Sequence, residues 1–293
     1  MRFQATLLAG ALGAVTLAAP AVAEAPAAPR GNFGGGALVS PPRDIFGAGN
    51  AIVALRALPE RRLEIEATVR AKCAGGDIYA TSTIAASGAF DSDGEVTQDP
   101  SPGLTITTTY KLSGRFTGAN AAEGTISATI VRSRYGAKTS CRSGEVAFAA
   151  RRPTSGVGSP GAPEAARYYG TTAQKSSTGP NRPIVIRVSA DGRRITRALF
   201  GESVKCDDGK LAIGIEAPRT NISIDSHGIV RDRDRFTITA GELVTYVDDH
   251  FTARLGTRGA SGTFSLSDRT TDRTSGRTIQ RCASGRIRWR ASR

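Results

Sequence analysis

The sequence predicts an all-β protein of two tandem domains, each an antiparallel β-sandwich or a small barrel. Three observations carry this reading: apolar and polar residues alternate along most of the chain, five sequence blocks recur in the same order, and each copy holds two of the four cysteines. Period-two alternation with β-branched enrichment marks strands that bury one face. No segment sustains the periodicity of a long helix.

The chain opens with Arg2, the apolar run ATLLAGALGAVTLAA over 5–19, Pro20, and then Ala21-Val22-Ala23. A positive start, an apolar middle and a small-x-small end predict a signal peptide over 1–23, cleaved before Glu24. The run is shorter than the ~20 residues that span a bilayer. No second apolar run of spanning length follows, so no transmembrane segment is expected in the mature chain. The predicted location is therefore outside the cytoplasm, secreted or held in the cell envelope. Residues 24–36 (EAPAAPRGNFGGG) read as a disordered lead-in.

The duplication sets the domain count. The runs 52–62 (IVALRALPERR) and 184–194 (IVIRVSADGRR) align without a gap, although their apolar parity hints at a slip of one residue. Ala71-Lys72-Cys73 answers Val204-Lys205-Cys206, and 83–96 (TIAASGAFDSDGEV) answers 223–236 (SIDSHGIVRDRDRF). The last two pairs are 123–128 (EGTISA) with 261–266 (SGTFSL), and 141–148 (CRSGEVAF) with 282–289 (CASGRIRW). Domains are accordingly placed at 37–151 and 167–293, joined by a Pro/Gly/Ser/Ala linker over 152–166.

In the second copy, strands are expected near 183–189, 195–206, 210–217, 220–225, 228–231, 235–239, 242–248, 250–256, 260–267 and 284–291. Asp191-Gly192, Asp207-Asp208-Gly209, His227-Gly228 and Ala240-Gly241 supply the turns between them. Many short strands at regular spacing fit a sandwich or a barrel. The sandwich is favoured, because one cysteine in an early strand and one before the last strand resemble a staple between sheets. Four cysteines allow three pairings, and the duplication selects Cys73–Cys141 and Cys206–Cys282, one per copy. A zinc site of four thiolates needs close Cys-x-x-Cys pairs, which are absent.

The second copy resembles a family of uncharacterised secreted, disulfide-stapled β-domains of high-GC bacteria. The likeness rests on Tyr169-Gly170-Thr171-Thr172, the strand 183–189 (PIVIRVS) leading into Asp191-Gly192-Arg193, the Cys206-Asp207-Asp208-Gly209 turn, Ser261-Gly262-Thr263-Phe264, and the closing 282–289. It spans nearly all of copy two and, more weakly, copy one. What it implies is a fold; it carries no activity and no site residues.

Lys+Arg number 39 against 26 Asp+Glu, a net charge of +13 that favours anionic partners through a long-range, salt-sensitive attraction. The excess is nearly all arginine, as codon bias in a high-GC genome would produce. In the last predicted strand, period two sets Ile287 and Trp289 on one face and Arg286, Arg288 and Arg290 on the other. The matching strand keeps Val146 and Phe148 inward but places Glu145, Ala147 and Ala149 outward, so Trp289 reads as core. The arginine row could contact an anionic cell-wall polymer or a glycan; its plainer reading is a charged edge that discourages strand pairing. No nucleic-acid partner is expected, and no cofactor motif is present.

Candidate chemistry is sparse. No nucleophile elbow, zinc-protease motif or phosphate-binding glycine loop occurs. Asp249 and His250 form the alternative catalytic pair, with the acid orienting an imidazole base at a hairpin. His227 beside Gly228 reads as a turn residue. Asp91-Ser92-Asp93-Gly94-Glu95 looks like the opening of a calcium loop but lacks the acid near its twelfth position, so an acidic hairpin turn is expected and no metal. The run 231–235 (RDRDR) reads as a self-neutralising turn. The leading expectation is a non-catalytic exported binding or structural module, with a secreted hydrolase as the alternative.

Overall fold

The computed structural model describes residues 29–38, 48–101, 103–175, 179–209, 211–215 and 221–293. The predicted signal peptide and residues 24–28 lie outside the described residues. The first copy forms β1 (Gly31–Ala37), β2 (Ala51–Ala57), β3 (Arg62–Arg70), β4 (Gly75–Thr83), β5 (Ala89–Ser101), β6 (Leu104–Gly118), β7 (Ala121–Arg134), β8 (Ala137–Arg142) and β9 (Val146–Arg151). Their order is β4-β3-β2-β1-β9-β7-β6-β5, with β8 paired to β7. The second copy forms β10 (Arg167–Lys175), β11 (Asn181–Val188), β12 (Arg194–Cys206), β13 (Leu211–Ile215), β14 (Ile222–Ser223), β15 (Ile229–Ala240), β16 (Leu243–Leu255), β17 (Gly259–Asp272), β18 (Thr278–Ala283) and β19 (Ile287–Ser292). The order β13-β12-β11-β10-β19-β17-β16-β15, with β18 on β17, repeats the first sheet strand for strand; β14 is added.

Of the two architectures left open, the barrel forms. In the second copy the ladder returns on itself, because β18 pairs with β12 at Lys205↔Ala283 and Cys206↔Cys282 as well as with β17. The first copy is nearly closed: its end strands β4 and β5 meet where Ser82 Oγ donates to the Asp91 carbonyl at 2.6 Å. The disulfides pair as the duplication predicted, Cys73–Cys141 and Cys206–Cys282. They do not join stacked sheets. Cys206–Cys282 joins β12 to β18 where the second barrel closes, and Cys73–Cys141 joins the turn after β3 to β8 at the equivalent place in the first.

Two glycines register the copies. Gly124 stands opposite Gly114 and Phe148, and Gly262 stands opposite Ala253 and Trp289. Phe148 and Trp289 are therefore one position, and Trp289 is core, 2% exposed and stacked on Phe251 at 5.6 Å. The same registers make Val53 the counterpart of Ile184, since Gly35 and Gly170 face them across β1–β2 and β10–β11. The gapless alignment is thus off by the one residue its parity hinted at.

The disordered lead-in expected through residue 36 is corrected: Gly31–Ala37 is a strand between β2 and β9. Its glycines are what the packing requires. A Cβ on Gly35 would overlap the Ala149 carbonyl, and one on Gly34 would overlap the Gly170 carbonyl of the second barrel. The strands expected at 228–231 and 235–239 are one strand, as are those at 242–248 and 250–256, because the β15–β16 ladder runs unbroken through the charged residues, with Arg231, Arg233, Arg235 and Asp248 outward and Asp232, Asp234 and Asp249 on the other face.

The barrels pack through β1 and β2 on one side and β10 and β11 on the other. Ile52, Ala54, Val185 and Leu199 are at most 4% exposed, yet belong to neither barrel interior; they form a second core between them. The burial of β2 and β11 on both faces explains why their sequences run apolar rather than alternate. A buried Arg182–Glu66 ion pair crosses this interface, and Asn181 N donates to Asn32 Oδ1 at 3.1 Å. Residues 152–166 lie along the second barrel, with Pro160 bridged to Gly256 and Thr154 N donating to Ser292 Oγ at 3.0 Å.

Candidate functional site

The outer face of the second barrel gathers the predicted arginine row. On β19, Ile287, Trp289 and Ala291 point inward at 2–3% exposure, while Arg288 and Arg290 are exposed outward; Arg286 is exposed in the preceding turn. The edge reading of this row is corrected, since β19 lies between β10 and β17. Its neighbours extend the polar surface in register. Arg290 stands between Thr171 and Ser261, and Ser261 faces Arg254. One row along, Arg288 faces Thr263, Thr263 faces Thr252, and Thr252 faces Arg231. A shallow depression of about 600 Å3 runs along this surface between Thr171 and Thr263, with Arg288 and Arg290 on it.

The residues 231–235, expected as a self-neutralising turn, instead lie in β15, where period two separates their charges. Arg231, Arg233 and Arg235 all lie on the outer face. Sequence reasoning missed them as part of the site, and the signal was the alternation itself, read as a turn rather than a strand. Arg233 and Arg235 share Asp248, at 2.5 and 3.2 Å. The hydrogen bond from Arg233 holds the Asp248 carboxyl well below the usual carboxylate range, and Arg235 adds to it. Among the described residues Arg254, Arg288 and Arg290 form no ion pair.

The first barrel carries the opposite sign on the same strands. Phe90 and Val230 are equivalent, facing Gly114 and Ala253, so Asp91, Asp93 and Glu95 occupy the positions of Arg231, Arg233 and Arg235. Asp91, Asp93 and Glu95 are exposed along β5 rather than gathered in a hairpin turn. Arg115, the counterpart of Arg254, is neutralised by Glu123 at 3.0 Å. Ser261 replaces that glutamate in the second barrel, and Ala147 and Ala149 stand where Arg288 and Arg290 do.

The alternative catalytic pair is not brought together. Asp249 and His250 are adjacent in the middle of β16, not at a hairpin, and so face opposite ways. Asp249 points inward, 1% exposed, and accepts from Asp234 N at 3.3 Å. His250 is exposed and lies 3.4 Å from Asp248, on the arginine face. His227 sits in a turn as expected, its N–H donating to Asp225 Oδ1 at 2.9 Å. No protein-family profile, curated protein or solved structure matches the chain.

Proposed function

We propose that the chain is an exported, non-catalytic binding protein of the cell envelope or extracellular space, which grips an anionic polymer, a wall polymer or an acidic glycan, on the outer face of its second barrel. The observation that carries this is the inversion of charge between equivalent strands. One duplicated surface balances its arginine with Glu123 and sets acids along β5; the other removes that acid and adds arginines on β15 and β19. A planar guanidinium matches carboxylate, sulfate or phosphate with paired hydrogen bonds, which lysine does not. Ser261, Thr263 and Thr252 lie between the arginines and supply hydroxyls at strand spacing. The two disulfides suit an oxidising compartment. Together with the leader at 1–23 and the likeness to secreted β-domains, they support export.

Retention on immobilised poly(glycerol phosphate) and on heparin tests the reading. Binding should be firm at low salt and fall steeply near 0.15 M, where the screening length shrinks to about 8 Å. Replacing Arg286, Arg288 and Arg290 together by alanine should lose most of it, while Lys111→Ala on the first barrel should not. No retention at low salt would overturn the proposal.

A further inference from the structure

The outer face of the second barrel runs on past Arg235 and Asp248 to one further cross-strand row. In it Thr237 faces Tyr246, Tyr246 faces Arg269, and Arg269 faces Arg281, and all four are exposed. Period two keeps Tyr246 on the side of Asp248 and His250, and Arg269 on the side of Thr263. Lys205, opposite Ala283, adds a cation one row back. Asp268 points the other way. It takes the place of the buried Ile130, each standing opposite a disulfide cysteine, and burial pushes its carboxyl above the usual aspartate range.

The duplication shows what this outer row replaces. Thr97, Thr107, Val131 and Ser140 fill it in the first barrel, with the two threonine hydroxyls 3.1 Å apart. Neighbouring positions on β16, β17 and β18 thus differ from their counterparts by a tyrosine and two arginines. Like charges directly opposite on a sheet destabilise it, and among the described residues neither arginine forms an ion pair. Arg269 lies over the Tyr246 ring, its guanidinium carbon 5.1 Å from the centroid, yet Tyr246 remains 45% exposed. Choices that cost stability and meet in one place are what a site accumulates.

An exposed aromatic ring offers a flat apolar surface that the C–H face of a sugar ring can cover. The paired guanidinium groups beside it match the carboxylate or sulfate of the same unit. A polyol phosphate brings the charge but no ring. A single strand of nucleic acid lays successive bases on successive aromatic side chains. Among the described residues of the second barrel, Tyr246 is the one exposed phenylalanine, tyrosine or tryptophan. We infer that the polymer held by this face is an acidic glycan, with one sugar ring on Tyr246 and its anionic group between Arg269 and Arg281. The inference rests on the binding role proposed for the arginine face and names its ligand class. An anion between the opposed arginines also removes their repulsion. Tyr246 and Arg254 mark the two ends of the face on β16, about 26 Å apart at the rise of a strand. A ligand that reaches both is a chain, not a single sugar.

Calorimetric titration of the full-length oxidised protein with heparin and with poly(glycerol phosphate) tests this. Tyr246→Thr, which installs the residue of the first barrel, should weaken binding to heparin about tenfold and to poly(glycerol phosphate) less than about twofold. Tyr246→Phe keeps the ring and should bind heparin as the parent does. Arg281→Ser removes charge alone and should weaken both polymers alike. Equal loss from both polymers in folded Tyr246→Thr, no loss from either, or unchanged affinity in Arg281→Ser would overturn the glycan assignment and leave the rest of the arginine face standing. Tighter binding of oligothymidylate than of heparin, lost in Tyr246→Thr, would make the stacked ring a base and overturn it too. A parent protein held by neither polymer would instead end the binding role of the whole face.

Discussion

Ser143 and Ser284 hold together the place where each barrel changes neighbours. β7 pairs with β9 over one half and β8 over the other, and β17 does the same with β19 and β18. One backbone N–H at each switch, that of Ala128 or Leu266, is met by neither partner strand. The serine hydroxyl accepts it at 2.9 Å in the first barrel and 2.8 Å in the second. The following Gly144 and Gly285 take φ values of 70° and 65°, which let the chain turn back into the next strand. Ser284→Ala leaves that N–H without its acceptor and should cost about 1–3 kcal/mol in urea unfolding; a change near zero would show that water replaces the hydroxyl. Asp268 and Asp248 act on stability with opposite signs. The folded pKa of Asp268 is raised, so its penalty is absent below the unfolded value of about 4 and grows as pH rises through the folded one. Asp268→Asn should therefore stabilise the protein at neutral pH and not at low pH. The folded pKa of Asp248 is lowered, so what it contributes is present above about 4 and lost on acidification. Melting temperatures of Asp268→Asn and Asp248→Asn across the acid range should diverge accordingly.

At the scale of strands, the two disulfides sit at equivalent seams but in unequal surroundings. Cys206 and Cys282 are also ladder partners, whereas Cys73 lies beyond the end of β3, with its N–H directed at Cys141 Sγ at 3.3 Å. Closing loops with sequence separations of 68 and 76 residues, each bond contributes about 4 kcal/mol by loop entropy. Replacing either pair by serine should lower stability, but the seams should respond differently. Hydrogen exchange should quicken across β8 when Cys73 and Cys141 are removed and change less across β18 when Cys206 and Cys282 are removed, because the backbone pairing persists. Equal exchange in both would place the ladder, not the disulfide, as the clasp. The pairing of the cysteines was readable in advance, since cysteine spacing and duplicated blocks survive without coordinates; that it marks a barrel seam rather than a staple between sheets was not, because closure depends on the pairing of β18 with β12. β1 was not: its glycines carry no side-chain alternation, and the reason for them, contact with Ala149 and Gly170, is non-local. The long strands β15 and β16 were cut in two at charged residues, although the ladder between them continues through those residues on both faces. Asp268 was within reach. Two residues beyond the matched blocks ending in Ala128 and Leu266, the isoleucine of one copy becomes the aspartate of the other.

At the scale of the molecule, the contact between the barrels resembles an interior more than a joint. Ile52 and Ala54 meet Val185 and Leu199 without reaching either barrel's own core, and Ile52 Cδ1 would lie 3.2 Å from a Cβ built on Gly201. The Arg182–Glu66 pair is buried among them, with Arg182 Nε also donating to Ser203 Oγ at 3.2 Å. Removing one partner of such a pair strands a charge away from water and typically costs 3–5 kcal/mol, roughly. The connecting residues are secondary by comparison: they follow the second barrel through the Val157 carbonyl, which accepts from the backbone N–H groups of Arg258 and Gly259, and are exposed at 154–156. Holding the halves together should thus fall to the interface rather than to chain continuity. A protease site inserted after Ser155 allows that to be separated. After complete cleavage, the two fragments should co-elute as one species on size exclusion and melt in one transition. With Glu66→Lys, which sets a second cation against Arg182, the cleaved fragments should part while the uncut chain still keeps both folded. Fragments that separate without the substitution would show the interface to be too weak to act alone, and the chain crossing 152–166 to be what orients one barrel on the other.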